Sequence, residues 1–323
     1  MKVIRYITAL LLMAAVSLAS AEDDAARYPE QPIKLVVVYQ AGGANDIVAR
    51  VLADRMTRAL GQSVMVINRP GGNGMVGAQA VANSAPDGYT VLMGGTPLVV
   101  ARALYKTPPV DFETSLAPVG KAVNLNLVLV ARKSYPADSF QQVIALERAK
   151  PGSVSMATTA SAYEFYLARL NRLAGVDILK VPYPGVPAAM NDLNGNRVDL
   201  LIDTLAAQKS FLASGATKPL AVFGRKRMAA LPDVPTLAEL GLKDFEDQPL
   251  VGMLVPRKTP DSIVRKLNLA LNETLADQEV RAKLTALDLD VESNTTPEAF
   301  LEEMRRTSAR FVEVGAQAGI QKQ

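Results

Sequence analysis

The chain has 323 residues, of which 49% are hydrophobic and 21% charged, with 35 Lys and Arg against 32 Asp and Glu. This length is enough for one large or two medium domains with a buried core. The sequence has no His, Cys or Trp, which excludes Ser-His-Asp and Cys-His catalysis, thiol redox chemistry and zinc sites of the usual ligand types. The charge of +3 is spread along the chain, so no nucleic-acid partner is expected.

The N-terminus has the pattern of an export signal. Lys2 and Arg5 form a positive region, residues 7–18 are apolar, and Ala19-Ser20-Ala21 has the small-x-small form that signal peptidase cuts. A transmembrane anchor needs about 20 apolar residues, and this run is shorter. The sequence therefore predicts a signal peptide over residues 1–21, cleaved after Ala21, and a mature protein in the periplasm.

Apolar runs of strand length alternate with helix-period stretches along the rest of the chain, which indicates an α/β protein. The predicted strands are Ile33–Tyr39, Val64–Ile67, Tyr89–Met93, Leu125–Ala131, Ser153–Ala157, Ile178–Val181, Arg197–Ile202, Pro219–Phe223 and Val251–Val255. The predicted helices cover residues 44–60, a short stretch after 72, and about 139–149, 162–173, 187–193 and 206–212, with long helices from about 260 and 297.

Two extended segments, near 121–126 and 221–225, are expected to link two lobes. We expect residues 22–122 and 225–323 in lobe 1 and residues 123–224 in lobe 2, each a mainly parallel sheet flanked by helices, with a cleft between the lobes. In such sheets ligands bind at the carboxyl ends of strands, where loops lead into helix N-termini.

The loop Gln40-Ala41-Gly42-Gly43-Ala44 precedes a predicted helix. Free main-chain N–H groups and the positive end of the helix dipole would face a ligand there, and a carboxylate is the physical match. The structural alternative is a tight turn that needs two glycines. Asp46, in the first helical turn, is interpreted as a scaffold residue more than as a ligand contact.

Polar residues also follow later strands. Gly94-Gly95-Thr96 and Thr158-Thr159-Ala160-Ser161 offer amides and hydroxyls that can bind a ligand or cap the next helix. Tyr163 could line a pocket or lie in the core. Asp203 could accept a hydrogen bond from a ligand or cap the following helix, and the sequence leaves both open.

A dinucleotide-binding motif is a false lead. Gly72-Asn73-Gly74-Met75-Val76-Gly77 matches G-x-G-x-x-G, but the next strand ends in Met93-Gly94-Gly95 without the carboxylate that would hold a ribose. No S-x-x-K or G-x-S-x-G spacing indicates a serine nucleophile. We therefore expect no cofactor and no metal site.

Several ordered motifs carry a family resemblance. They are Val38-Tyr39-Gln40-Ala41-Gly42-Gly43-Ala44-Asn45-Asp46, Asn68-Arg69-Pro70-Gly71, Pro86-Asp87-Gly88-Tyr89-Thr90, Val181-Pro182-Tyr183 and Leu231-Pro232-Asp233-Val234-Pro235-Thr236. Together they resemble the Bug (TctC-type) solute receptors of tripartite tricarboxylate transporters, over nearly the whole mature chain. The resemblance implies a two-lobed periplasmic binding protein (type II), a monomer without catalysis, which closes on a small carboxylated solute and delivers it to membrane subunits.

The resemblance also implies a set of ligand-binding residues. They are Tyr39, Gln40, Ala41, Gly42, Gly43, Ala44, Asn45, Asp46, Gly95, Thr96, Thr158, Thr159, Ser161, Tyr163, Pro184 and Asp203. Tyr166 stands where the family usually has His, and Tyr163 where it usually has a small hydroxyl residue. We therefore hypothesise a ligand other than the small C4 dicarboxylates, such as an aromatic carboxylate stacked on Tyr39 or Tyr163.

Two other functions stay open at this point. One is an exported α/β hydrolase-like enzyme that uses a Ser or Thr nucleophile. The other is a receptor that has become the sensor partner of a membrane kinase.

Overall fold

The computed structural model describes residues 27–243, 245 and 248–323, so the predicted signal peptide lies outside the described residues. The strands are β1 Ile33–Val37, β2 Val64–Asn68, β3 Thr90–Gly95, β4 Leu116–Leu125, β5 Leu127–Arg132, β6 Ser155–Thr158, β7 Leu179–Pro182, β8 Leu200–Thr204, β9 Thr217–Val222, β10 Leu250–Pro256 and β11 Leu289–Val291. The helices are α1 Ala44–Leu60, α2 Met75–Ala82, α3 Thr96–Leu104, α4 Phe140–Ala149, α5 Ser161–Ala174, α6 Val186–Asn194, α7 Leu205–Ala213, α8 Asp261–Ala276, α9 Gln278–Ala286 and α10 Pro297–Gln317.

The first sheet has the strand order β11-β4-β10-β3-β1-β2. Strand β1 pairs in parallel with β2 and β3. Helix α1 connects β1 to β2, and α2 lies in the connection from β2 to β3. Strand β10 runs antiparallel to both β3 and β4, and β11 is antiparallel to β4. The parallel half therefore has its carboxyl ends on one edge, where loops lead into α1 and α3.

The second sheet repeats this arrangement with the order β7-β6-β8-β5-β9. Strand β6 is parallel to β7 and β8, whereas β5 is antiparallel to β8 and β9. The predicted α/β architecture with two lobes is confirmed, and its sheets are mixed rather than mainly parallel. The antiparallel pairs involve β4 and β10 in the first sheet and β5 in the second. These strands lie next to the passages of the chain between the lobes.

The chain passes from the first sheet to the second at Asn126, between β4 and β5. The Asn126 side chain donates from Nδ2 to the carbonyl of Asp288 (2.8 Å) and accepts at Oδ1 from Gln248 Nε2 (2.7 Å). Residues 123–125 lie in β4 of the first sheet, three residues past the predicted lobe boundary. Sequence analysis missed the first part of β4, since Pro118 and Gly120 interrupt its apolar pattern.

The return passage follows β9. The Val222 amide donates to the carbonyl of Pro235, and the Leu237 amide donates to that of Val222. Residues 235–237 therefore lie against the second sheet, although the predicted boundary puts everything after 224 in lobe 1. The passage back to the first sheet comes between this segment and β10.

The two lobes contact each other through helices. One hydrophobic cluster continues from α3 into α5, with Leu98 and Tyr163 among its members. Phe165 of α5 packs edge-on against Phe311 of α10, with ring centroids 5.5 Å apart. Among the helices of the described residues, none is both long and apolar enough to cross a membrane.

Candidate functional site

The predicted site residues fall on two sheet edges, one in each lobe. In the first lobe they occupy the loops after β1 and β3, and in the second lobe the loops after β6, β7 and β8. Each set lies at the carboxyl ends of parallel strands, where α/β proteins bind ligands.

The loop between β1 and α1 presents main-chain N–H groups. Residues 40–43 are exposed, Gly42 has a φ of +84°, and Gly43 precedes the helix with φ −78° and ψ 167° and no side-chain cap. The first helical N–H groups, those of residues 44–46, have no carbonyl partner within the helix. This N-terminus therefore offers both hydrogen-bond donors and the positive end of the helix dipole.

Asp46 holds this loop in place from inside. It is 2% exposed, and its Oδ2 accepts from the Gly42 amide and from Arg50 Nε, both at 2.9 Å. Its Oδ1 accepts from Arg50 (3.0 Å) and from Asn68 Nδ2 (2.9 Å), which also donates to the carbonyl of Tyr39.

The hydrogen bonds from Arg50, followed by those from Gly42 and Asn68, lower the pKa of Asp46 to about 2 against the opposing effect of burial. The geometry supports the interpretation of Asp46 as a scaffold residue. Sequence analysis did not identify Arg50 and Asn68 as its partners, although the spacing of Asp46 and Arg50, four residues apart on one helix, is a recognisable signal.

Thr96 and Gly95 are tied to the neighbouring strand. The Thr96 hydroxyl donates to the carbonyl of Leu250 (3.1 Å) and accepts from its amide (2.9 Å). Gly95 has a φ of +149°, and a Cβ there would overlap with Leu250. These two residues thus anchor the start of β10 beside the cleft, a role that the sequence did not predict.

In the second lobe, α5 begins after Ala160 and α6 after Gly185, and neither helix has a side-chain cap. Helices α2, α3 and α8 lack one too. Side chains cap four other helices: Ser139 caps α4, Thr204 caps α7, Asp277 caps α9 and Thr296 caps α10. Thr159 and Ser161 are half-buried at the start of α5, and Pro184 is exposed before α6. The second lobe therefore also presents uncapped helix N-termini at this edge.

Tyr163 links the two sets of residues. It is 8% exposed, and burial, together with the charges of Asp203, Tyr39 and Tyr166, raises its pKa well above the usual value. The hydroxyls of Tyr39 and Tyr163, which belong to different lobes, are thus within electrostatic range of each other. Tyr166 lies behind Tyr163, with ring centroids 6.4 Å apart.

Asp203 is a buried carboxyl group whose hydrogen-bond donors among the described residues are neutral. It is 3% exposed and accepts from the Thr204 amide (2.7 Å) and from Gln208 Nε2 (2.9 Å). Burial raises its pKa to about 6, although both hydrogen bonds act to lower it. Thr204 itself caps α7 by accepting from the Ala207 amide, so the capping alternative for Asp203 is wrong. Gln208 was missed, because nothing in a helical Gln marks it as the partner of an acid.

The glycine motif before α2 has a packing role. Residues 72–74 form a single 3₁₀ turn, and a Cβ at Gly77 would lie 2.7 Å from the carbonyl oxygen of Arg69. The close approach of helix to loop accounts for the glycine without any nucleotide.

A cavity of about 820 Å³ lies by the passages between the lobes, and none of the predicted ligand-binding residues lines it. Its Lys121 is paired with Glu303 (2.7 Å), and its Arg227 with Glu239 (3.0 Å).

The family follows from comparison with known proteins. A family model described as the tripartite tricarboxylate transporter family receptor (TctC) matches residues 48–313. The chain belongs to this family. Protein BugT of Bordetella pertussis, a TctC-like relative by sequence, is 34% identical over 284 residues, which are 87% of each chain.

Solved structures agree with this assignment. The periplasmic binding protein BugD is 35% identical, with a TM-score of 0.81 over 92% of this chain and 100% of its own. Rpa4515 of R. palustris, solved with adipate, is 31% identical, with a TM-score of 0.84 over 92% and 100%. MatC of Rhodopseudomonas palustris, solved with bound malate, is 29% identical, with a TM-score of 0.79 over 89% and 100%. The resemblance to TctC receptors is thus confirmed, and so is the periplasmic binding protein fold.

Proposed function

We propose that this TctC receptor binds one carboxylate of a small solute at the N-terminus of α1, with its lobes closed around the rest of the molecule. The observation that carries the proposal is the exposed loop before α1, where no side chain caps the helix N-terminus. Asp46 and its partners hold this loop rigidly from the buried side. Because the donors are already oriented, little ordering free energy is lost on binding.

The comparisons support a carboxylate as the ligand class. Two structural relatives, at 31% and 29% identity, were solved with adipate and malate. Both are carboxylates, and a helix N-terminus stabilises such anions through its N–H groups and dipole. All sixteen expected residues, from Tyr39 to Asp203, are retained in the proposed site, with Asp46 and Thr96 supporting its walls.

Nothing favours the hydrolase alternative. The Thr158 hydroxyl, a candidate nucleophile beside the cleft, has no hydrogen-bond partner within the described part of the chain, so no base is positioned to activate it. The proposed role is binding and delivery without turnover.

The cellular context is proposed on the same basis. The family places the receptor in the periplasm, and the leader pattern supports cleavage after Ala21. Membrane subunits of a tripartite transporter would accept the solute from a monomeric receptor. Lobe 2 would span about 126–237, as its strands and the segment packed on them indicate.

The aromatic side chains in the cleft favour an aromatic or otherwise extended acid over a small C4 dicarboxylate. Tyr39 of the first lobe packs against the hydrophobic cluster that contains Tyr163 of the second, and an aromatic ring stacked on either would gain contact area. Replacing Tyr163 with Ala should weaken binding of such an acid by at least about tenfold. Unchanged affinity would count against this ligand class.

The proposal is tested with a substitution that the fold accepts. Gly43 has an ordinary φ of −78°, and a Cβ there would meet only the Gln40 carbonyl oxygen, at 3.6 Å. Gly43→Leu should therefore fold while its side chain blocks the carboxylate position. Gln278→Leu is the control, since Gln278 is exposed at the start of another helix, α9, in the same lobe.

Binding is measured by thermal shift and calorimetry against mono-, di- and tricarboxylates, aromatic acids and amino acids. A ligand at 100 times its Kd stabilises the fold by about 2.7 kcal/mol. We expect a carboxylate to bind the unmodified protein and the Gln278→Leu variant, and to lose at least about 100-fold in affinity with Gly43→Leu. Equal affinity in both variants would contradict the proposed site.

A further inference from the structure

The second-lobe wall of the cleft carries a buried carboxyl group whose hydrogen-bond donors within the described residues are all neutral. Asp203 is 3% exposed, and its two hydrogen bonds come from the Thr204 amide and the Gln208 side chain. A second anion on the ligand would thus approach this carboxylate in a poorly solvated region.

The same wall has buried polar atoms that lack partners. Thr158 Oγ1, at the carboxyl end of β6, and Gln208 Oε1, beside Asp203, are both inaccessible to solvent and have no hydrogen bond within the described residues. Thr158 is 2% exposed and Gln208 0%. Buried polar atoms are normally satisfied, and an orphaned acceptor costs stability. A hydrogen-bond donor arriving with the ligand, directly or through a water molecule, would satisfy them.

The second lobe presents hydrogen-bonding groups of the opposite kind to those of the first lobe. The loop before α1 presents N–H donors to an anion, whereas the second lobe offers the acceptors Asp203 and Gln208 Oε1, together with the Thr158 hydroxyl, which can accept or donate. A ligand that spans the two lobes would therefore meet donors at one end and acceptors at the other. Its two ends should differ in chemistry accordingly.

We infer that the receptor selects a monocarboxylate whose far end carries a hydrogen-bond donor, a hydroxyl or an ammonium group, and discriminates against a second carboxylate there. Asp203 is the specificity-determining residue. This inference rests on the proposed carboxylate site at α1 and names the substrate class of that site. It sets this chain apart from the relatives solved with adipate and malate.

The test compares acids of one shape that differ only at the far end. The aliphatic series is 6-hydroxyhexanoate, 6-aminohexanoate, hexanoate and adipate, and the aromatic series is 4-hydroxybenzoate, 4-aminobenzoate, benzoate and terephthalate. Calorimetry at pH 7.5 gives Kd for each acid with the unmodified protein, Asp203→Asn and the control Asp138→Asn. Asp138 lies before α4 in the same lobe, with its side chain 80% exposed.

In at least one series we expect the hydroxy or amino acid to bind at least tenfold more tightly than the dicarboxylate. Asp203→Asn should reduce that ratio to threefold or less, because the amide carries no charge, and Asp138→Asn should leave it unchanged. The comparison within the unmodified protein needs no variant, so it stands even if Asp203→Asn unfolds, which melting curves would show.

Two results would overturn the inference while leaving the carboxylate site intact. The first is that, in every series whose acids bind, the dicarboxylate binds as tightly as its donor-bearing partners, and the second is a preference for the donor that Asp203→Asn leaves unchanged. If no acid of any kind bound, the proposed function itself would fail. Gly43→Leu separates these cases, since it should abolish binding of every acid at the α1 site.

Discussion

Replacing Asp203 with Asn should stabilise the ligand-free protein at neutral and alkaline pH. The side chain is 3% exposed and accepts hydrogen bonds only from Gln208 and the Thr204 amide among its contacts. Asn has the same shape, and if the Gln208 amide turns over, its unpartnered Oε1 can accept from the new Nδ2. The substitution therefore removes a buried charge without leaving a cavity.

The magnitude follows from the pKa of Asp203, which burial raises from 3.8 to about 6. At a pH above both values the carboxylate is charged in both states, and its burial costs the folded state about 3 kcal/mol. Below about pH 3 the group is protonated in both states, and this cost disappears; at pH 4 the carboxyl of the unfolded chain, with a pKa of 3.8, is still more than half ionised. The stability gained by Asp203→Asn should thus be about 2 kcal/mol larger at pH 8 than at pH 4.

The assay is urea unfolding of the ligand-free protein and the Asp203→Asn variant between pH 4 and pH 8. The difference between the two free energies of unfolding removes contributions from every other titrating group. Asp138→Asn serves as the control for the loss of an exposed carboxylate. A difference that stays constant with pH, or that grows toward acid, would refute the reasoning, because Asp203 would then not be destabilised by burial.

Three other perturbations test the remaining parts of the site. Asp46→Asn should lower the free energy of unfolding by about 2 kcal/mol at pH 7, because the lowered pKa of Asp46 stabilises the fold above pH 4 and this contribution is lost as the pH falls through about 2. In urea unfolding, the difference between variant and unmodified protein should be smaller at pH 2 than at pH 7, and a difference independent of pH would contradict this. Gly95→Ala should cost at least about 3 kcal/mol by urea unfolding, because its φ is +149° and its Cβ would overlap with Leu250; a loss below 1 kcal/mol would show that β10 can shift. Lys209→Gln removes an ion pair between the lobes, in which Lys209 Nζ lies 3.1 Å from Asp288 Oδ2. Small-angle scattering should then show a more open ligand-free protein with little change in stability, whereas an unchanged radius of gyration would argue that this pair does not hold the lobes together.

Much of the architecture was predictable from local patterns. The βα units of both lobes are visible as β-branched runs followed by helix-period segments, and the two glycines after the first run predict a helix N-terminus at the loop before α1. Strand β4 and the antiparallel position of β10 were not predicted, because strand order depends on pairing between distant segments. Residues 123–125 and 235–237 lie in a different lobe from the one that the sequence predicts. A lobe boundary depends on packing between distant segments, which local sequence patterns do not show.

The main-chain N–H donors of the proposed site were predictable from the sequence, but the side-chain contacts that hold the site in place were not. The available amides of residues 43–45 follow from two glycines before a helix, a local signal. The bonds of Thr96 to Leu250 and of Gln208 to Asp203 join elements that the sequence cannot place side by side. A buried carboxyl group whose hydrogen-bond donors within the described residues are neutral, as at Asp203, is likewise visible only in three dimensions.

The most direct test of the central claim is a titration of the ¹⁵N-labelled mature protein with the best-binding carboxylate, followed by amide resonances. Hydrogen bonding to an anion should shift the amide protons of residues 43–45 downfield to saturation, in step with the Kd from calorimetry. The amides at the start of α4, which Ser139 caps, should stay in place. Saturable binding that leaves the amides of residues 43–45 unmoved would show that the carboxylate lies elsewhere and would contradict the account.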